Sequence, residues 1–211
     1  MIIAIDGPAA SGKGTLGRKL ATHYRLPYLD TGLLYRGVAA RVVADGARLD
    51  DPEAALRAAC ALDIADLDAT RLRTAELGEA ASIIAAYPAV RQALLELQRD
   101  FARQAPGAVL DGRDIGSVVC PHADCKLFVT ASAEERARRR ARDFAAMGEG
   151  PSFEAVLADI HRRDQRDAMR SSAPLVMARD AVLLDTTRLD IEAALQAAID
   201  IVEGSASSAQ G

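Results

Sequence analysis

Tryptophan is absent from this 211-residue chain, which has only four phenylalanines and four tyrosines. A surface that binds single-stranded nucleic acid needs exposed rings on which bases can stack. The net charge of −4 offers no general positive field to draw in a polyanion. Both shortages speak against nucleic-acid binding, so any polyphosphate must be met by local groups. Cysteine is also scarce and odd in number. Cys60, Cys120 and Cys125 make no disulfide framework, as suits a reducing compartment. The run Cys120-Pro-His122-Ala-Asp-Cys125 has no second ligand cluster elsewhere, so it reads as small apolar thiols beside a strand rather than a metal site. No apolar run approaches the ~20 residues of a membrane-spanning helix. The chain starts directly in a strand, without the basic, apolar and cleavage regions of a signal peptide. A cytoplasmic location, no membrane partner and a monomer are expected. Lysine is the last scarcity: Lys13, Lys19 and Lys126 stand against 23 arginines. Arginine grips phosphate or carboxylate in a planar fork, whereas a lone lysine suits a moving point charge.

The chain is long enough for one substantial core. Short apolar runs alternate with long helical stretches, the pattern of a parallel sheet covered by helices on both faces. Strands are expected near 2–6, 26–29, 107–111, 126–130 and 181–185. Several end in polar residues (Asp6, Asp30, Asp111, Thr130, Asp185), and in an open parallel sheet such ends surround the ligand crevice. A single α/β domain over 1–204 is predicted. It carries a mainly helical excursion over about 32–105 and a lid over about 132–178, with the turn Met147-Gly-Glu-Gly-Pro151 inside the lid. The tail 205–211 lacks apolar periodicity and is expected to be unstructured.

The most informative segment is Gly7-Pro8-Ala9-Ala10-Ser11-Gly12-Lys13-Gly14-Thr15, between the apolar run 2–6 and a helical pattern. A glycine-rich turn from strand to helix aims backbone N–H groups at one point, and the helix adds the positive end of its dipole. This is a phosphate-binding P-loop, with Lys13 supplying a full charge and Gly14 standing in the usual Ser/Thr slot. Gly-Lys-Gly-Thr is the form seen in nucleoside monophosphate kinases.

Further along, Leu29-Asp30-Thr31-Gly-Leu-Leu-Tyr-Arg36 offers Asp30 or Thr31 as a helix cap and Arg36 inside the helix, facing the P-loop. Leu110-Asp111-Gly112-Arg113-Asp114 puts Asp111 where a carboxylate would orient Mg²⁺-bound water. Arg113 follows where it could grip an acceptor phosphate. Arg136, Arg139 and Arg140 share one helix face, as do Arg163, Arg166, Asp167 and Arg170. Such runs are commonly solvated faces. Flanking a lid, they could instead close onto a transferring phosphoryl group and exclude water.

Together with Arg162-Arg-Asp-Gln-Arg-Asp167 and Ser172-Ala-Pro174, these motifs resemble bacterial cytidylate kinases in the same order along almost the whole chain. The resemblance implies that Lys13 and the amides of Gly7–Thr15 hold the phosphates of ATP, with Mg²⁺ as cofactor, and that Arg139 packs against adenine. It implies that Arg36 and Arg113 hold the phosphate of CMP or dCMP, and that Thr31, Ser82, Arg91 and Asp114 line the cytosine pocket. By the same resemblance Arg163 and Asp167 contact ribose, and Arg166 and Arg170 grip phosphate from the lid. One departure stands out. Many members carry a small β-rich insertion where this chain has only the short Leu62–Thr70, with little strand pattern. A kinase for another small acceptor, or a nucleotide-dependent switch, remains the alternative on the residues alone.

Overall fold

The computed structural model describes residues 1–146, 148, 150–170 and 172–208. Five strands, β1 (Ile2–Asp6), β2 (Tyr28–Asp30), β3 (Ala108–Gly112), β4 (Cys125–Thr130) and β5 (Val182–Asp185), form one parallel sheet in the order β2-β3-β1-β4-β5. The expected α/β class holds, and each expected strand is present within two residues at either end.

Alternation along the central strands builds two cores. Ile3, Ile5, Val109 and Leu127 face α1 (Lys13–Tyr24) and the C-terminal helix. Ala4, Ala108 and Leu110 face the opposite way, toward the helices of the excursion. Those helices are α2 (Thr31–Ala44), α3 (Pro52–Cys60), α4 (Ala69–Leu72), α5 (Ala75–Ile84) and α6 (Pro88–Arg103). The segment expected to form a lid comprises α7 (Ala133–Ala146) and α8 (Phe153–Met169), which bury Ala137, Phe144, Val156 and Ile160 between them. Within the turn joining them, Met147 and Glu149 lie outside the described residues.

The structure revises two expectations. The final helix, α9 (Ile191–Ser208), continues through the first residues of the tail expected to be unstructured, because its apolar face packs on the sheet as far as Val202 and the helix runs on from there; Ala209–Gly211 lie outside the described residues. Neither Asp30 nor Thr31 caps α2 with its side chain. Asp30 instead accepts from Arg73 at 2.8 Å, and the Thr31 hydroxyl donates to the Asp111 carbonyl at 2.7 Å. Over Leu62–Thr70 the chain makes two single turns, Ile64–Asp66 and Ala69–Leu72, whose first amides are capped by Asp63 and Asp68.

Candidate active site

The sequence places a glycine directly after β1 because no other residue fits. Gly7 has φ +145°, and a Cβ there would stand 1.9 Å from the Val129 carbonyl oxygen of β4. Gly12, at φ +92°, then turns the chain into α1. Lys13, the first residue of α1, is 6 % exposed, and its ammonium donates to the Pro8 carbonyl at 2.9 Å. Burial pushes this ammonium well below the ordinary lysine range, and the charge of Arg113 adds to the effect. Asp111, at the end of β3, is driven the opposite way: burial raises its carboxyl, and Asp30 adds repulsion. The start of α7 is fastened to the loop. Arg136 of α7 donates to the Ala9 carbonyl at 3.2 Å while holding Asp164 of α8 through both amino groups.

Across the cavity, Arg36 of α2 donates from Nη1 to the Leu72 and Thr74 carbonyls, each at 2.9 Å, which ties α2 to the start of α5. Burial lowers its guanidinium to about 10, and the nearby charges of Arg140 and Arg163 push the same way. Such a crowd of cations is costly without an anion to share. Arg113, just past β3, donates from Nε to Asp167 of α8 at 2.7 Å. Burial alone would raise Asp167, but the guanidiniums of Arg113 and Arg170 more than reverse it and hold the carboxyl below its usual range.

The far wall is more enclosed. Arg91 of α6 and Asp114 form a buried ion pair through Nη2 and Oδ2, and the Arg91 guanidinium lies 5.6 Å from the centre of the Tyr35 ring. The Ser82 hydroxyl of α5, which lines the same cavity, is buried with no hydrogen-bond partner among the described residues. A buried donor left unpaired among fixed charges is the kind of group a polar ligand satisfies. Beside the P-loop, Arg139 of α7 reaches the Thr186 carbonyl at 2.6 Å and its hydroxyl at 3.0 Å, beyond the end of β5.

A single cavity of about 1280 Å³ joins these walls. It runs from the P-loop, past Arg36 and Arg113, to Arg91 and Asp114. The cytidylate kinase family model matches residues 3–204, which is nearly all of the chain. The chain belongs to the cytidylate kinase family. A cytidylate kinase of Xanthobacter autotrophicus is 63 % identical over 203 residues, covering 96 % of this chain and 97 % of that one. One of Azorhizobium caulinodans is 62 % identical over 203 residues, covering 96 % and 98 %. Among solved structures, an uncharacterised protein from Eubacterium ventriosum overlays with a TM-score of 0.57 at 15 % identity, covering 96 % of this chain and 98 % of its own, a likeness of fold.

In this member of the cytidylate kinase family, most of the residues singled out from the sequence converge on the cavity. Ala9–Thr15, Thr31 and Arg36 line it, as do Ser82, Arg91, Asp111, Arg113 and Asp114. From the lid come Arg139, Arg163, Asp167 and Arg170. Gly7 and Pro8 do not line it: Gly7 is packed against β4, and Pro8 contributes its carbonyl to Lys13. Arg166 does not line it either, because its Nη2 donates to Glu79 of α5 at 2.6 Å and is drawn toward the excursion. The sequence reading missed Arg73, Tyr35 and the segment Thr186-Thr-Arg188. That last segment was within reach, since it follows a strand whose polar C-terminal end was already recognised as facing the crevice.

Proposed function

We propose that the protein transfers the γ-phosphoryl group of ATP to the phosphate of CMP or dCMP, giving ADP and CDP or dCDP. The observation that carries this is one cavity with a buried lysine and P-loop at one end and an arginine-lined, carboxylate-bearing pocket at the other. Donor and acceptor can then lie in line, which is most of what phosphoryl transfer asks of a protein. A phosphate oxygen of CMP attacks the γ-phosphorus, the bond to the β-bridging oxygen breaks, and ADP leaves with that electron pair. The attacking oxygen is already anionic at neutral pH, so no general base is required. Arg36 and Arg113 hold the acceptor phosphate, while Lys13 and the loop amides hold the donor. Arg139 lies beside the adenine, Arg163 and Asp167 at the ribose, and Arg170 closes with the lid, where Arg166 would join it by leaving Glu79. Residues 1–204 act as one unit, its excursion and lid folding over the sheet.

Asp111 fits a Mg²⁺ ion carried by ATP, since its Oδ1 is buried beside the P-loop with no hydrogen-bond partner among the described residues. The ion would neutralise donor phosphate charge, with Asp111 orienting one of its waters. At the base, the Asp114 Oδ2 accepts from Arg91, its Oδ1 is the oxygen that would meet the ligand, and Ser82 lines the same cavity. A cytosine amino group can donate to that oxygen, whereas the uracil carbonyl would meet it as acceptor against acceptor.

The direct test is ADP formation from Mg·ATP with CMP, dCMP, UMP, AMP or shikimate in parallel. CMP and dCMP should lead. A different leading acceptor would reject the cytosine pocket and keep the kinase, and acceptor-independent hydrolysis would favour a nucleotide switch. Asp114→Asn should lower the CMP-to-UMP ratio of kcat/KM by roughly tenfold or more, because the amide can turn its N–H toward the uracil carbonyl. An unchanged ratio would remove Asp114 from base recognition.

A further inference from the structure

Asp6, the last residue of β1, has no part in the chemistry described above, yet its side chain is 5 % exposed and fully engaged. Its Oδ1 accepts from the Ile115 amide at 2.7 Å and its Oδ2 from the Gly116 amide at 2.8 Å. Those two amides open a wide turn over Ile115–Val119, in which the Val119 amide bonds back to the Asp114 carbonyl and Cys120 to Ile115. The first N–H groups of such a turn have no partner within it. One carboxylate from a neighbouring strand satisfies both.

We infer that Asp6 is a positioning residue for acceptor recognition: its two-oxygen clamp fixes the peptide between Asp114 and Ile115 and so aims the Asp114 carboxylate at the base pocket. The inference rests on the acceptor reading above. The geometry is direct. The peptide whose N–H is held at 2.7 Å is the one that sets the backbone angle ψ of Asp114, and Asp114 carries the carboxylate paired with Arg91. Asp6 also stands beside Gly112 in the sheet register and immediately before Gly7 of the P-loop. A single side chain therefore ties the end of the strand that leads to the donor phosphates to the turn that follows the acceptor residues Arg113 and Asp114. A displacement of ~1 Å between such groups is enough to cost a large part of the rate.

Stability alone gives little reason for a carboxylate here. Burial raises its pKa to about 6, against the two amides that lower it, so the ionised group is carried at a cost to the folded state. A neutral side chain would be easier to bury. Asparagine, however, offers one acceptor oxygen, and its amino group would face the second N–H. Only a carboxylate of this length accepts from both amides at once.

The test uses the full-length Asp6→Asn and Asp6→Glu variants, the second retaining the charge but pushing the turn outward by a methylene. In both, KM for CMP should rise about tenfold and the CMP-to-UMP ratio of kcat/KM should fall, while KM for ATP stays within about twofold. At pH 7.5 Asp6→Asn removes a buried charge but sets its amino group against one of the two amides, and with these effects opposed its melting temperature should stay close to that of the wild type. Equal increases in both KM values, or no change in either, would overturn the inference. So would a melting temperature that falls in step with activity. If the acceptor panel is led by a nucleotide other than CMP or dCMP, the cytosine reading fails on its own. The positioning role then stands only if Asp6→Asn raises KM for that acceptor and not for ATP.

Discussion

Lys13→Ala is expected to lower kcat by roughly 10³-fold or more with Mg·ATP and CMP, the scale on which removing a preorganised charge from a developing phosphoryl transition state is felt. Among the described residues, Lys13 is the only lysine on the cavity wall. Its ammonium is held on the Pro8 carbonyl, among the charges of Arg113, Asp111, Asp30 and Asp167. Burial depresses its pKa, so the charged form is held against a desolvation cost that the donor phosphates would offset on binding. The variant loses that charge but no apolar packing of comparable weight. Its melting temperature in the absence of nucleotide should stay near the wild-type value or rise slightly. Single-turnover rates with saturating CMP, measured beside thermal melts, separate the two effects. Wild-type turnover in the variant would mean that the loop is a structural turn and not a phosphate cradle.

What could be read from the sequence divides along physical lines. The strands were legible because Ile2–Asp6 and Val109–Asp111 are apolar runs ending in carboxylates, and the P-loop because Gly7 and Gly12 punctuate a strand-to-helix turn. Residues whose position follows from their own segment, such as Lys13, line the cavity. Pairings between distant segments were not legible. Nothing local to Asp30 announces Arg73, and nothing local to Arg166 announces Glu79, 87 residues away, which draws it from the cavity wall. The helix caps failed for the same reason. Thr31 has the right chemistry for a cap, but a tertiary acceptor on β3 takes its hydroxyl. The persistence of α9 to Ser208 reflects a helix already fixed on the sheet up to Val202, which the polar composition of the last residues does not reveal.

Arg113→Ala should lower kcat/KM for CMP by roughly 10²- to 10³-fold while leaving the affinity for ATP within about threefold. The guanidinium has two tasks. It lines the cavity where the proposed acceptor would sit, and its Nε holds the buried carboxylate of Asp167 at 2.7 Å. Alanine removes the acceptor cation and leaves Asp167 with Arg170 at 3.7 Å as its remaining ion partner, so an incoming phosphate meets a poorly compensated carboxylate. Lysine should restore only part of the loss, because a point charge cannot hold Asp167 and a phosphate through one planar fork. The same pairing makes a stability prediction with a definite sign. Asp167 is held below the ordinary carboxylate value of 3.8, so its contribution is present above that pH and is lost as pH falls through the lower folded value. The stability gap between wild type and Arg113→Ala, read from denaturant midpoints, should therefore be widest near neutrality and close below pH 3.8. A gap that does not change with pH would show that Arg113 acts through packing rather than charge. Equal loss of ATP and CMP binding would remove Arg113 from the acceptor site.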